Sequence, residues 1–313
     1  MKLLLAYLFS AAGIFFPSKN IQWLCIFTSI IIYFIFSTYY QIGGDYKSLQ
    51  FRADNTYFGD ISWNTDLVFE IFVQLSKIIG IDLPIIYSVC MLILLPYNFY
   101  KPAITLFALI ISFYFLITGF QRQALAAMVL LRFLKFEPKS LNFFGYIISF
   151  LVHKSVIILS GIALISSRPR SRVIAIVIGA VIFLMVIIMQ IALKETFLNH
   201  YLEYYFSHQM KSSGASLRAL AIISVYFILC FNRDFDRDSS STMFEITIVI
   251  SILMIISGAT TAGDRMLIYC IAILVFSNIV SSASELRLVV ASVPFLTMNL
   301  FWIYASKQAQ VNW

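Results

Sequence analysis

Runs of about twenty apolar residues recur along this chain, and no other feature constrains its fold as tightly. They fall at 21–40, 82–99, 102–118, 173–193, 244–261 and 288–306. A helix of ~20 residues crosses the ~30 Å hydrocarbon core of a bilayer, and only a helix or a closed barrel satisfies its own backbone there. Weaker runs at 3–16, 120–135, 217–232 and 266–280 bring the expected crossings to about ten. Composition agrees, since 61% of the 313 residues are hydrophobic and 12% are charged, against roughly 25% charged in soluble domains. One globular core cannot bury that much apolar surface, so lipid has to be its solvent. The expected fold is all-α, a polytopic membrane protein of about 10–11 transmembrane helices, with residues 1–313 forming a single integral membrane domain. The opening Met1-Lys2-Leu3-Leu4-Leu5 looks like a signal peptide, but apolar character resumes at Ile21 without a clear cleavage site, and a retained first helix is expected.

The stretch 141–165 is divided. Two apolar halves flank His153-Lys154, and each half is too short to span. It reads either as one helix with an imidazole and an ammonium at mid-depth or as a re-entrant hairpin with His153 near its tip. The basic connectors at Lys19, Lys101, Lys135 to Lys139, Arg168 to Arg172, Arg233 and Arg287 share one face only if 141–165 returns to the side it left. Positive charge marks the cytoplasmic side, which favours the hairpin. Two longer segments, 41–81 and 194–216, and the turn at Gly263-Asp264-Arg265 then lie on the extracytoplasmic side. Within the first, Leu67, Phe69, Ile71, Phe72, Leu75 and Ile79 are expected on one face of an interfacial helix.

The net charge of +7 sits in connectors between apolar runs, so nucleic acid is not an expected partner. Cys25, Cys90, Cys230 and Cys270 each lie inside apolar sequence and read as small packed hydrophobes. His200, His208, Glu195 and Glu203 have spacings that match no strong ligand motif. No metal and no cofactor is expected.

Arginine within apolar sequence is the most informative feature for function. A guanidinium near the bilayer centre costs at least ~2.5 kcal/mol and is retained for a partner or a ligand. Arg122 has no acidic neighbour within ten residues; Arg218 opens a later helix; Arg265 follows Asp264, which cannot face it on the same helix. All three come out near the extracytoplasmic face, where they suit an anion such as a diphosphate, although each could also snorkel to the headgroups. His153 and Asp45 are candidate general bases, with Asp264 third. For Asp45, which follows two glycines, the plain alternative is a turn carboxylate.

These segments resemble, in order, the EpsG-type family of Wzy-like polysaccharide polymerases. The likeness rests on a G-x-D-Y loop (Gly43, Asp45, Tyr46), an R-Q-x-L-A helix (Arg122, Gln123, Leu125, Ala126) and an H-K-S turn (His153, Lys154, Ser155). The pairs Leu217-Arg218 and Asp264-Arg265, the latter before Tyr269, also fit. Members often carry an arginine just before the glycine-aspartate loop; here Thr38-Tyr39-Tyr40-Gln41 holds that place and Arg52 follows it. The resemblance implies a bacterial inner-membrane enzyme. It would join undecaprenyl-diphosphate-linked repeat units at the periplasmic face into O-antigen, capsule or exopolysaccharide, with a separate chain-length regulator as a partner. Tyr46, Arg52, Gln123, Lys154 and Tyr269 then become candidate substrate contacts. Two other readings share the features: a flippase or transporter of lipid-linked oligosaccharide, and a ligase moving finished glycan to another lipid.

Overall fold

The computed structural model describes residues 7–8, 11–38, 46–56, 66–118, 121–135, 142–167, 171–192, 214–230 and 238–311. Among them the fold is entirely helical, 86% helix without strands, as the apolar runs require. After a short 3₁₀ turn at Ala12–Phe15 come α1 Lys19–Thr38, α2 Tyr46–Asn55, α3 Leu67–Ile79, α4 Leu83–Leu94, α5 Pro102–Thr118, α6 Gln121–Lys135 and α7 Asn142–Val152. Then follow α8 Val156–Ile165, α9 Arg172–Ala192, α10 Ala215–Cys230, α11 Ser239–Ile256, α12 Thr260–Phe276, α13 Asn278–Ser281 and α14 Glu285–Val311. The weak run at 3–16 contributes only the 3₁₀ turn and the helical pair at 7–8 to the described structure.

By length and composition α9 and α11 can each cross a membrane, and α3 with α4, bent by 112° at the break between them, makes either a broken third span or a re-entrant loop. Shorter apolar helices, α8 and α10 among them, run 10 to 17 residues. At ~1.5 Å per residue the shortest rise only about half the hydrocarbon thickness. The 141–165 stretch is broken, with α7 ending at Val152 and α8 beginning at Val156.

Contacts divide the chain into two compact units, Met1–Ile157 with Val280–Trp313, and Ile158–Ile279. In the first, α5 is buried nearly all round, with Ala103, Leu106, Phe107, Ala108 and Ile111 inaccessible. Helices α1 and α14 pack against it, and Asn299 of α14 donates to the Ile110 carbonyl and the Tyr7 hydroxyl. Helix α6 is equally enclosed by α4 and α7, its Ala124, Ala126 and Ala127 letting neighbouring backbones approach closely.

The bend between α3 and α4 is written locally. Gly80 stands at φ 72, a left-handed value that costs other residues about 1–2 kcal/mol. Its amide and that of Ile81 both donate to the Ser76 carbonyl, ending α3, while Pro84 starts α4. Helix α3 is amphipathic: Ile71, Leu75 and Ile79 of the expected apolar face lie on its exposed side, and Phe69 departs from that face to the buried one. Ile71, Leu75, Ile78 and Ile79 are exposed, whereas Phe69, Glu70, Val73 and Ser76 are buried. Apolar residues occupy both sides of α3, so periodicity alone could not say which side meets polar partners.

In the second unit α12 is enclosed by α10 and α11. By contrast α9 is an apolar span only 17% buried, with Val173, Ile176, Leu184, Met185 and Ile188 open to the surroundings. On a helix long enough to span, such a surface suits lipid.

Candidate functional site

Each unit holds a group of buried charge. In the first, Arg122 opens α6 and His153 follows the end of α7. These helices form an antiparallel hairpin, closely apposed where a Cβ on Gly145 would lie 2.4 Å from that of Phe133. One end of the hairpin therefore brings together two residues that the whole hairpin separates in sequence.

Asp66 joins them from the start of α3. It has the extended backbone of an N-cap residue, φ −74 and ψ 122, yet its side chain makes no capping bond. A capping carboxylate contributes about 0.5–2 kcal/mol to its helix; here the group points elsewhere. Its Oδ2 lies 2.8 Å from Nδ1 of His153, and its Oδ1 accepts from the Lys154 amide at 3.1 Å. Arg122 Nη1 stands 3.6 Å from the same Oδ2, beyond the 2.7–2.9 Å of a charge-assisted hydrogen bond. What holds the guanidinium is partly the ring of Phe69, whose centroid is 5.1 Å away. The first turn of α3 thus supplies both the carboxylate and the aromatic face.

Burial raises the Asp66 carboxyl, but the hydrogen bond and charge of His153, the Lys154 amide and the Arg122 charge together outweigh it and hold the group below its usual value. An ionised Asp66 accepts the proton on His153 Nδ1, a tautomer assigned from this hydrogen bond. That leaves Nε2 as the acceptor, with the carboxylate placed to stabilise an imidazolium once a proton has been taken. His153 and Arg122 side chains keep 16% and 25% of their exposure, so both can be reached from outside. Behind them lie buried Glu70 and the fully buried Tyr87 of α4. Tyr87 lies in electrostatic reach of Arg122, Asp66 and Glu70, and its hydroxyl has no hydrogen-bond partner among the described residues. A buried hydroxyl in that condition costs roughly 1–3 kcal/mol.

The second unit is built differently. Arg218, near the start of α10, forks onto Asp264 of α12, Nε to Oδ1 at 2.6 Å and Nη2 to Oδ2 at 2.7 Å. The two side chains are 5% and 3% exposed. Nearby, Ser251 of α11 donates to the Gly263 carbonyl at 2.7 Å, fixing the backbone just before Asp264. Lower on α10, Tyr226 donates to Glu245 Oε1 at 2.5 Å and stacks on Phe244 with ring centroids 4.6 Å apart. Arg172 Nε lies 3.5 Å from the same oxygen.

Of the residues singled out in the sequence, the structure brings His153, Lys154 and Arg122 together around Asp66, and Gln123 is buried beside Arg122 on α6. Arg218 and Asp264 form the pair in the second unit, with half-buried Arg265 next to it and Tyr269 buried one turn further on. Tyr46 and Arg52 lie on α2, their side chains beyond what the structure describes, and Asp45, His200, His208, Glu195 and Glu203 lie outside the described residues. The sequence reading missed Asp66. The available signal was an aspartate opening an amphipathic helix with Phe69 and Glu70 one turn on, opposite Ile71, Leu75 and Ile78. It also passed over the alternating carboxylates Asp234, Asp236 and Asp238, a spacing that suits a hard cation. The described member, Asp238, caps α11 by accepting from the Ser241 amide.

Fold and site together define an all-helical membrane protein with a carboxylate–imidazole pair set beside a loosely held guanidinium. The chain belongs to the EpsG family, whose model matches residues 7–313. That family is associated with polysaccharide polymerase-like membrane proteins. No curated protein and no solved structure matches the chain.

Proposed function

We propose that this protein polymerises undecaprenyl-diphosphate-linked oligosaccharide repeat units at the periplasmic face of a bacterial inner membrane. The product would be O-antigen, capsule or exopolysaccharide. The observation that carries the reading is the 2.8 Å contact between His153 Nδ1 and Asp66, with Arg122 alongside. His153 Nε2 takes the proton from a hydroxyl of one lipid-linked repeat unit. The hydroxyl oxygen attacks the anomeric carbon of the growing glycan, a new glycosidic C–O bond forms, and the bond from that carbon to the diphosphate oxygen breaks. Undecaprenyl diphosphate leaves with the electron pair, and the Arg122 guanidinium stabilises the charge that develops on it, in surroundings dry enough for such an interaction to count. Asp66 positions the imidazole and stabilises its protonated form. The step uses side chains of this chain alone and needs no metal or cofactor. Asp45, outside the described residues, stays a candidate general base, whereas Asp264 recedes because Arg218 already occupies its carboxylate, and Arg218, closed in that fork, recedes with it as a diphosphate contact. Arg265 remains a proposed diphosphate contact.

The test is the surface glycan ladder of a null strain complemented at matched membrane levels. Single repeat units in the null strain, a ladder restored by wild type, and none with His153→Ala, Asp66→Asn or Arg122→Ala support the reading. A null strain with no transferred repeat unit overturns it in favour of a flippase or ligase. Extension by isolated membranes that stops in EDTA and recovers on adding a divalent cation overturns metal independence.

A further inference from the structure

The hydroxyl of Tyr87 is a feature of the first cluster with no place in that mechanism. It is completely buried on α4, has no hydrogen-bond partner among the described residues, and lies in electrostatic reach of Arg122 on α6 and of Asp66 and Glu70 at the start of α3. Phe72 fixes its ring, edge to face, with centroids 5.1 Å apart. A buried polar group left unsatisfied asks for an explanation, and packing needs only the ring, which phenylalanine would supply as well.

The second observation is the looseness of Arg122. At 3.6 Å from Asp66 it has no close bond to the carboxylate and rests on Phe69, so it is placed to turn toward an anion. When it does, Asp66 loses a neighbouring cation while His153 is about to acquire a positive charge that depends on that carboxylate. A donor is then needed on the inner side.

Resting on the polymerase reading above, we propose that Tyr87 is a positioning residue, whose hydroxyl donates to the Asp66 side of the cluster when Arg122 turns to the substrate diphosphate. The bond is absent in the resting protein and present while the leaving group departs. It therefore contributes to the chemical step and not to resting stability, the pattern expected of an interaction made only on the way to the transition state.

The experiment uses Tyr87→Phe in the full-length protein, reconstituted in nanodiscs and supplied with lipid-linked repeat units extracted from the null strain. Removing an unsatisfied hydroxyl should leave the melting temperature unchanged or raise it. The rate of chain extension at saturating substrate should fall about tenfold, the worth of one hydrogen bond to a charged group, with KM within about twofold. In an Arg122→Lys background, which keeps measurable activity, the same substitution should cost clearly less than tenfold, because the two act as one unit. A lowered melting temperature would show that the hydroxyl already has a partner at rest, and full activity that it has no part in the reaction; either overturns the proposal. Parallel His153→Ala protein separates this from the larger reading. If it still extends glycan, the polymerase site has been misplaced; if it is inactive while Tyr87→Phe is fully active, only the role of Tyr87 fails.

Discussion

Each unit of this protein buries an aspartate against a cation, and the two pairs could hardly be built less alike. Arg218 and Asp264 are joined by two short parallel bonds and are almost inaccessible. Asp66 divides its carboxylate between an imidazole and an amide, keeps Arg122 at 3.6 Å, and leaves both cationic partners partly open. A closed fork satisfies its members and holds helices in register, whereas a divided, partly open cluster keeps its groups available to change partners. The difference teaches that charge within a membrane is not one signal: the same residue types make a closed, satisfied fork in one unit and an open, divided cluster in the other.

The comparison can be broken most severely at the closed pair. Asp264→Ala leaves a guanidinium buried without its counter-charge, a loss of about 3–5 kcal/mol, and folded protein recovered from membranes should fall sharply on size-exclusion chromatography. Replacing both members with apolar residues, Arg218→Met with Asp264→Leu, should restore much of it. If Asp264→Ala folds normally, the pair is not architectural and the contrast is lost.

At the open cluster the cost should appear in rate. Asp66→Asn and His153→Ala should slow chain extension by about 10²- to 10⁴-fold, the usual worth of positioned acid–base groups, with protein levels near wild type. Arg122→Lys keeps the charge but loses the planar fork, and about a tenfold loss is expected at this site. Equal losses for Arg122→Lys and Arg122→Ala would mean that fork geometry, more than charge, is what Arg122 contributes.

Two smaller effects sharpen the picture. Gly80→Ala puts a Cβ on a left-handed residue and should lower stability by about 1–2 kcal/mol, read as a lower melting temperature. Because Asp66 titrates below its usual value, its contribution to stability is fully present above about pH 4, its unfolded value, and is lost as pH falls through the depressed folded value. The melting-temperature gap between wild type and Asp66→Asn should thus close in acid; a gap unchanged at about pH 3 would show that the carboxylate is not held in this way.

Much of this was legible in the residues. Long apolar runs dictated helices, and α5, α6 and α9 begin and end within a residue or so of those runs. His153-Lys154 marked a break that the structure places between α7 and α8, because two polar groups interrupt an otherwise continuous apolar pattern. Arg122 and Arg218 stood out through the cost of their burial. Asp66 did not, since an aspartate before a helix is so ordinary a cap that its sequence gives no hint of a partner on another hairpin. Phe69, expected on the outer apolar face of α3, lies on the inner one for a related reason: with apolar residues on both sides, the inner side is chosen by what packs there.

The sequence by itself determined the solvent, the helical class, the places where helices stop, and which charges are too costly to be idle. These are set by composition and by neighbours within one turn. The pairings were decided only by the tertiary structure: Asp66 with His153, Arg218 with Asp264, Arg122 with Phe69. Each depends on where distant helices are brought together, and a local pattern of residues holds no record of that.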